Sequence, residues 1–246
     1  MGAVITVTSG KGGTGKTTAV AAVGACLAAL GRRTLCLDCD TGLRNLDLAL
    51  GMSDFIVTNF SDILDKHLPL DEACHEHPKI PGLFFLSAPQ ISSSEHIDAS
   101  SMAALIAETK ECFDYCLIDS PAGLAEGFRL ASMGADMAII VANGEVSSTR
   151  DGQRVVEELR TFGIQDIRLI INRVSPRRFK DILLTIDQVI DTVGARLIGI
   201  VPEDSTVFYS WNTETPLVLC DDRSAAHAFL QIARRITGEN LPYKRF

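Results

Sequence analysis

Between an apolar run, Ala3-Val4-Ile5-Thr6-Val7, and a helix-like stretch from Thr17 to Leu30 stands the string Gly10-Lys11-Gly12-Gly13-Thr14-Gly15-Lys16-Thr17. A turn that merely joins a strand to a helix needs one or two glycines. This segment has four, together with a Lys-Thr pair. Glycines so placed let consecutive backbone N–H groups turn toward one anion, and the helix that follows adds its positive N-terminal end. Lys16 is then positioned for the β- and γ-phosphates of a nucleotide and Thr17 for Mg²⁺. Gly10, Lys11, Gly12, Gly13, Thr14, Gly15, Lys16, Thr17 and Thr18 are therefore the predicted phosphate-binding residues.

Lys11 adds a further condition, because an ordinary loop of this kind does not require a cation at its second position. It is either a solvated lysine on an exposed loop or a source of positive charge for a phosphate in the transition state. In the second case it acts as an arginine finger does when offered by a neighbouring subunit. The residues alone leave its target phosphate open.

Apolar runs alternate with helical patterns along the rest of the chain. Ala3–Val7, Thr34–Leu37, Leu83–Leu86, Tyr115–Ile118, Met137–Val141, Arg168–Ile171 and Leu197–Val201 read as strands, several of them continuously apolar, as strands buried on both faces are. Thr17–Leu30, Ser101–Thr109, Glu126–Met133, Thr149–Phe162, Ile182–Val193 and Ala225–Thr237 read as helices. The alternation predicts an α/β fold with a doubly wound, mostly parallel sheet and helices on both faces. Ligands of such sheets bind outside the carboxyl ends of the strands, so the residues just after each strand are the candidates for chemistry.

Asp38 and Asp40 follow one strand and Asp119 another, which predicts strands flanking the phosphate loop. A strand-end Asp taken alone is often a structural cap. Three beside a phosphate loop are better explained as Mg²⁺ organisers, Asp38 and Asp119, and a water-positioning group, Asp40. Asn172 follows Arg168–Ile171, and its side-chain amide could donate to and accept from an adenine edge, with a local turn as the alternative. Arg173 stands beside it without the carboxylate that a guanine reader would want. Pro202-Glu203-Asp204, after the last strand, forms the other expected wall of the base pocket.

At 246 residues and 46% hydrophobic content the chain suits one α/β domain spanning 1–246, with no linker or repeat. A formal net charge of −8 argues against broad nucleic-acid binding. Seven scattered cysteines suit reduced, buried thiols better than a disulfide framework. Cys36-Leu37-Asp38-Cys39 has a C-x-x-C spacing, but on a strand its two thiols point to opposite faces, which disfavours a metal. The N-terminal Met leads straight into a strand and no apolar run approaches the length of a bilayer span, so a cytoplasmic protein is expected.

These elements together resemble the MinD branch of the ParA-like, deviant Walker A ATPases. The resemblance rests on Ser9 to Thr18, on Leu37-Asp38-Cys39-Asp40-Thr41-Gly42-Leu43-Arg44-Asn45-Leu46-Asp47 and on Asp119-Ser120-Pro121-Ala122-Gly123. Glu145-Val146-Ser147-Ser148-Thr149-Arg150-Asp151, Asn172-Arg173 and Val201-Pro202-Glu203-Asp204 support it. It implies a Mg²⁺-dependent ATPase that switches an assembly in division-site placement. Two subunits sandwich two ATP molecules, Lys11 of each reaches the partner's phosphates, Asp40 lies beside the attacking water, and slow hydrolysis returns monomers. It also implies a MinC-type inhibitor as partner of the dimer and a MinE-type activator of hydrolysis.

Two features depart from the family pattern. Members usually continue past the equivalent of Leu241-Pro242 into a basic amphipathic helix, whereas this sequence ends at Tyr243-Lys244-Arg245-Phe246. Residues 241–246 are too few for a stable helix, which needs on the order of 12 to 15 residues, so the expected location is cytoplasmic, at most peripheral at the inner face of the membrane. After Gly123, Ala125 occupies a position often acidic in the family, and the carboxylate stands at Glu126, about 100° round a helix start.

Three other classes use similar strings. A DNA-partition ATPase would draw on the basic cluster Arg173, Arg177, Arg178 and Lys180, which otherwise reads as a solvated loop. A flagellar-placement regulator shares the switch motifs, although Ser-Pro-Ala-Gly favours the division branch. A metallocluster carrier would need paired cysteines at a dimer seam.

Overall fold

A computed structural model describes residues 2–40, 45–55, 58–59, 63, 68–87, 99–175, 184–220 and 224–243. The strands are β1 (Ala3–Thr8), β2 (Thr34–Asp38), β3 (His75–Glu76), β4 (Leu83–Leu86), β5 (Tyr115–Asp119), β6 (Met137–Ala142), β7 (Asp166–Val174) and β8 (Arg196–Pro202). They form one sheet of order β3-β4-β2-β5-β1-β6-β7-β8. All neighbours are parallel except the two-residue β3, which runs antiparallel to β4 at the edge. The helices are α1 (Lys16–Ala29), α2 (Leu46–Leu50), α3 (Leu70–Ala73), α4 (Ala99–Cys112), α5 (Glu126–Ser132), α6 (Val146–Thr161), α7 (Ile186–Val193), α8 (Ser205–Asn212) and α9 (Ser224–Ile236).

The doubly wound sheet is the expected one; β4 coincides with the expected Leu83–Leu86, and the other expected strands run one to three residues longer at one end or both. The helix expected over Ile182–Val193 begins only at Ile186, because extended Thr185 caps it in a capping box with Gln188; Leu184 and Thr185 are not helical, and Ile182 lies outside the described residues. The sequence reading had no counterpart for β3, α2, α3 or α8.

Strand alternation distributes the apolar residues to two faces. Ile5, Val7, Cys36, Leu117 and Ile139 meet α1 and α9 on one side. On the other, Val4, Leu35, Leu37 and Ile118 meet Met102, Leu105 and Ile106 of α4, while Ile140, Leu169 and Ile171 meet α6 and α7. Cys36 on β2 and Cys39 just past its end fall in different cores, and burial pushes both thiols up. Helix α1 is buried almost all round, from Ala19 to Ala28, so it is a core element with its N-terminus at the loop. Gly24 permits this closeness: a Cβ there would collide with Cys36 Sγ on β2.

The base-side helices hang on one carboxylate. Asp204 Oδ1 accepts the Thr206 N–H at 2.8 Å and caps α8. Its Oδ2 accepts the Ala225 N–H at 2.9 Å and the Ser224 hydroxyl at the start of α9. Burial raises the Asp204 pKa, but these bonds outweigh it and hold the carboxyl below its ordinary range. At the other end of α9, Arg235 donates to the carbonyls of Leu241 and Pro242 and lies over the Tyr243 ring, folding this segment back. Among the described residues no helix is long and apolar enough to cross a membrane.

Asp204→Ala removes two helix caps and should lower stability by about 1–3 kcal/mol at neutral pH, measured by urea unfolding. Because the folded-state pKa is lowered, this contribution is present above the unfolded value of about 3.9 and is lost as pH falls through the folded value. The gap between wild type and variant should therefore close in acid. A gap constant with pH would contradict the capping role.

Candidate nucleotide-binding site

β1 lies between β5 and β6, at the point where the chain first winds one way along the sheet and then returns to the other side. The loop after β1 therefore opens into the crevice where ligands of such sheets bind. The Ser9 hydroxyl donates to the Lys11 carbonyl at 2.8 Å, and the Gly123 N–H donates to the Ser9 carbonyl at 3.2 Å, which fixes the turn. Gly13 (φ 78°) and Gly15 (φ 97°) occupy the left-handed region. A Cβ on Gly10 would strike the Asp151 backbone in α6, and one on Gly15 would strike the Asn172 amide. A Cβ on Gly12 would meet nothing; Gly12 borders open space. Gly15 gives α1 no side-chain cap, so the first-turn N–H groups remain for a ligand. The loop lines a cavity of about 660 Å³, a normal size for a small-molecule site.

Lys16, only 8% exposed, begins α1 at the loop's end. Asp119 ends β5, next to β1; Asp38 ends β2, one strand farther out rather than beside the loop. Parallel register nevertheless brings Val7, Asp119 and Asp38 level. Both carboxylates are buried, at 1% and 2% exposure for Asp38 and Asp119. Burial pushes the Asp119 carboxyl up to about 6, against the hydrogen bond from the Thr17 hydroxyl and the nearby Lys16 charge. Burial and the Asp119 charge push Asp38 up to about 7.

Asp119 Oδ1 is buried and has no hydrogen-bond partner among the described residues. A buried, unpartnered carboxylate oxygen beside a threonine hydroxyl is a hard, all-oxygen donor set of the kind Mg²⁺ takes. Asp38 is differently engaged: its Oδ1 accepts the Asp40 N–H at 2.9 Å and its Oδ2 the Leu46 N–H at 3.4 Å. It thus ties both ends of residues 40–46, within which Asp40 borders the cavity and 41–44 lie outside the described residues.

On the base side a register shift in β7 between Ile171 and Val174 turns Asn172 and Arg173 toward the cavity. Arg173 has φ 55°, uncommon for a side-chain-bearing residue and characteristic of a ligand site. Asn172 Nδ2 donates to the Thr14 carbonyl at 2.8 Å, and its Oδ1 accepts the Arg173 N–H at 2.9 Å. Asn172 is therefore first a brace between β7 and the phosphate loop, with one N–H and one lone pair left for a base. Pro202, Glu203 and Asp204 border the cavity, and the Asp204 oxygens already cap α8 and α9.

Lys11 stands apart from the enclosed cations. Its ammonium donates to Glu145 Oε2 at 2.9 Å and to Ser147 Oγ at 3.3 Å, at the start of α6 and in water. The Lys11 side chain is 45% exposed, so in the single chain its charge is turned away from the loop it belongs to.

The sequence reading missed Val207, Phe208 and Trp211 of α8 and Phe229 of α9, which make the cavity's apolar wall. Asp204 followed by Ser205 and Thr206 was the available cap signal. Of the basic cluster, Arg173 borders the cavity, while Arg177, Arg178 and Lys180 lie outside the described residues.

Residues 5–217 match the CobQ/CobB/MinD/ParA nucleotide binding domain. The septum site-determining protein MinD of Synechocystis is 41% identical over 248 residues, covering 100% of this chain and 93% of that protein. The solved MinC:MinD cell division protein complex of Aquifex aeolicus contains a chain 38% identical to this one, with a TM-score of 0.92 and 99% of each chain covered. MinD of Pyrococcus horikoshii, solved with Mg-ADP, is 29% identical with a TM-score of 0.86, covering 97% of each chain. A phosphate loop with a lysine at its second position, carboxylates level at two strand ends and full-length similarity of this order agree: the chain belongs to the septum site-determining MinD proteins of the CobQ/CobB/MinD/ParA nucleotide-binding family.

Proposed function

We propose that the protein is an ATP-driven switch in division-site placement. Two copies close face to face over two Mg-ATP molecules, the closed form engages a MinC-type inhibitor, and hydrolysis, quickened by a MinE-type activator, returns monomers. The observation that carries this reading is the orphaned Asp119 oxygen beside Thr17 and Lys16 at the mouth of a glycine loop. The solved MinC:MinD complex, with a chain 38% identical, supports the choice of partner.

The loop N–H groups and Lys16 would bind the phosphates, and Thr17 with Asp119 would hold Mg²⁺, which supplies charge neutralisation at the reacting phosphate. Asp38, committed to two backbone amides, would act on the ion through water and hold the Asp40 segment in place. Asp40 would orient the attacking water. An exposed pair such as Lys11–Glu145 is worth about 0–1 kcal/mol, so Lys11 can leave Glu145 for a partner's phosphate at little cost. The DNA-partition reading has less support, since Arg173, one of its four cations, borders the cavity.

Lys16→Ala should abolish nucleotide binding in titration calorimetry. Asp40→Ala should bind ATP as wild type does and hydrolyse it about 10²-fold more slowly; equal loss of affinity in both variants would contradict these roles. Wild-type turnover per molecule should rise with protein concentration as copies complete each other's sites. Lys11→Ala should bind ATP normally and lose that rise, and a retained rise would contradict the cross-subunit role.

The two raised carboxyls also predict a pH dependence. In chelator and without nucleotide, the folded protein binds more protons than the unfolded chain between about pH 4 and 7, so these groups lower stability as pH rises through that window. Asp119→Asn should therefore gain thermal stability on wild type between pH 5 and 8. A difference that stays flat or shrinks would show that Asp119 is not held protonated by burial.

A further inference from the structure

The chain has one tryptophan, Trp211, and it stands on α8 at the edge of the cavity. Its ring is half-buried against the core shared by α1 and α9. Its Nε1–H donates to Thr18 Oγ1 at 3.1 Å, linking residues 193 positions apart. Thr18 is the third residue of α1 and also lines the cavity.

An indole nitrogen can only donate, so it occupies a lone pair of the Thr18 oxygen and leaves the hydroxyl proton to be given elsewhere. A threonine inside a helix commonly gives that proton to the carbonyl four residues back. Here that carbonyl belongs to Thr14; it takes the Asn172 amide at 2.8 Å on one lone pair, and the Thr18 hydroxyl is not bonded to it among the described residues. Among the described residues no acceptor takes the Thr18 hydroxyl proton. The acceptor side is held by Trp211, the usual internal outlet is not used, and the hydroxyl stands on the first turn of a helix whose N-terminus faces the cavity.

We infer that Trp211 is a positioning residue that fixes the Thr18 hydroxyl as a dedicated donor to a phosphate oxygen of the bound nucleotide. This rests on the nucleotide-binding reading above and deepens it. Trp211 touches no phosphate itself; it acts by orienting a neutral donor within the phosphate site.

Mg-ADP binding to the full chain, followed by titration calorimetry, tests this together with the single indole ¹H–¹⁵N signal that one tryptophan must give. Trp211→Phe keeps an aromatic ring on the core and removes the donor. It should weaken Mg-ADP binding about three- to tenfold, the range of one net hydrogen bond. Thr18→Val should weaken it similarly, Thr18→Ser should restore it, and the double variant Trp211→Phe/Thr18→Val should lose no more than either single one. In the wild type the indole signal should move when Mg-ADP is added, and in Thr18→Val that movement should be lost. Wild-type affinity in Trp211→Phe, or single losses that add in the double variant, would overturn the inference while nucleotide binding stands. Absence of Mg-ADP binding to the wild type would overturn both.

Discussion

Everything at the site follows from holding one cation and two carboxylates almost out of water at the ends of central strands. Lys16, Asp38 and Asp119 are each under a tenth exposed, and the charge of Lys16 only partly offsets what burial does to Asp119. Isolated charges in such surroundings cost several kcal/mol each. The arrangement persists because the strands beneath are continuously apolar, because Asp38 is held by two backbone amides and because α1 is locked into the core. It is a site whose electrostatics are incomplete without an anion and a hard cation.

The same placement explains why so much was legible in sequence. A phosphate loop works through its own backbone, so its glycines, lysine and threonine must be contiguous, and the strand and helix that flank it announce themselves by composition. Asp38 and Asp119 were readable because a parallel sheet puts strand ends at one rim. Helix α8 was not: Thr206, Val207, Phe208, Tyr209 and Trp211 are weak helix formers and read locally as extended, and it is the adjacent Asp204 cap together with packing on α1 that make them helical. The bracing of the loop by Asn172 and the Trp211–Thr18 bond join residues more than 150 positions apart, which no local pattern reports. Asp204 shows the converse, a residue picked for the pocket whose oxygens are spent on helix ends.

Lys11 connects the site to assembly. Lys16, Asp38 and Asp119 are enclosed, whereas Lys11 lies exposed on Glu145 and Ser147. A cation held so weakly beside a phosphate cradle can be recruited by a second copy without disturbing the core. The proposed division of labour gives Lys16, Thr17 and Asp119 to one nucleotide in one chain and Lys11 to the pairing of chains. Under the proposal, the physical form of such a division is a nucleotide-dependent dimer.

Sedimentation equilibrium of the wild-type chain with Mg²⁺ and either a non-hydrolysed ATP analogue or ADP addresses this most directly. The account predicts twice the monomer mass with the analogue and the monomer mass with ADP. Monomer in both, with binding of both nucleotides shown in the same samples, would contradict it.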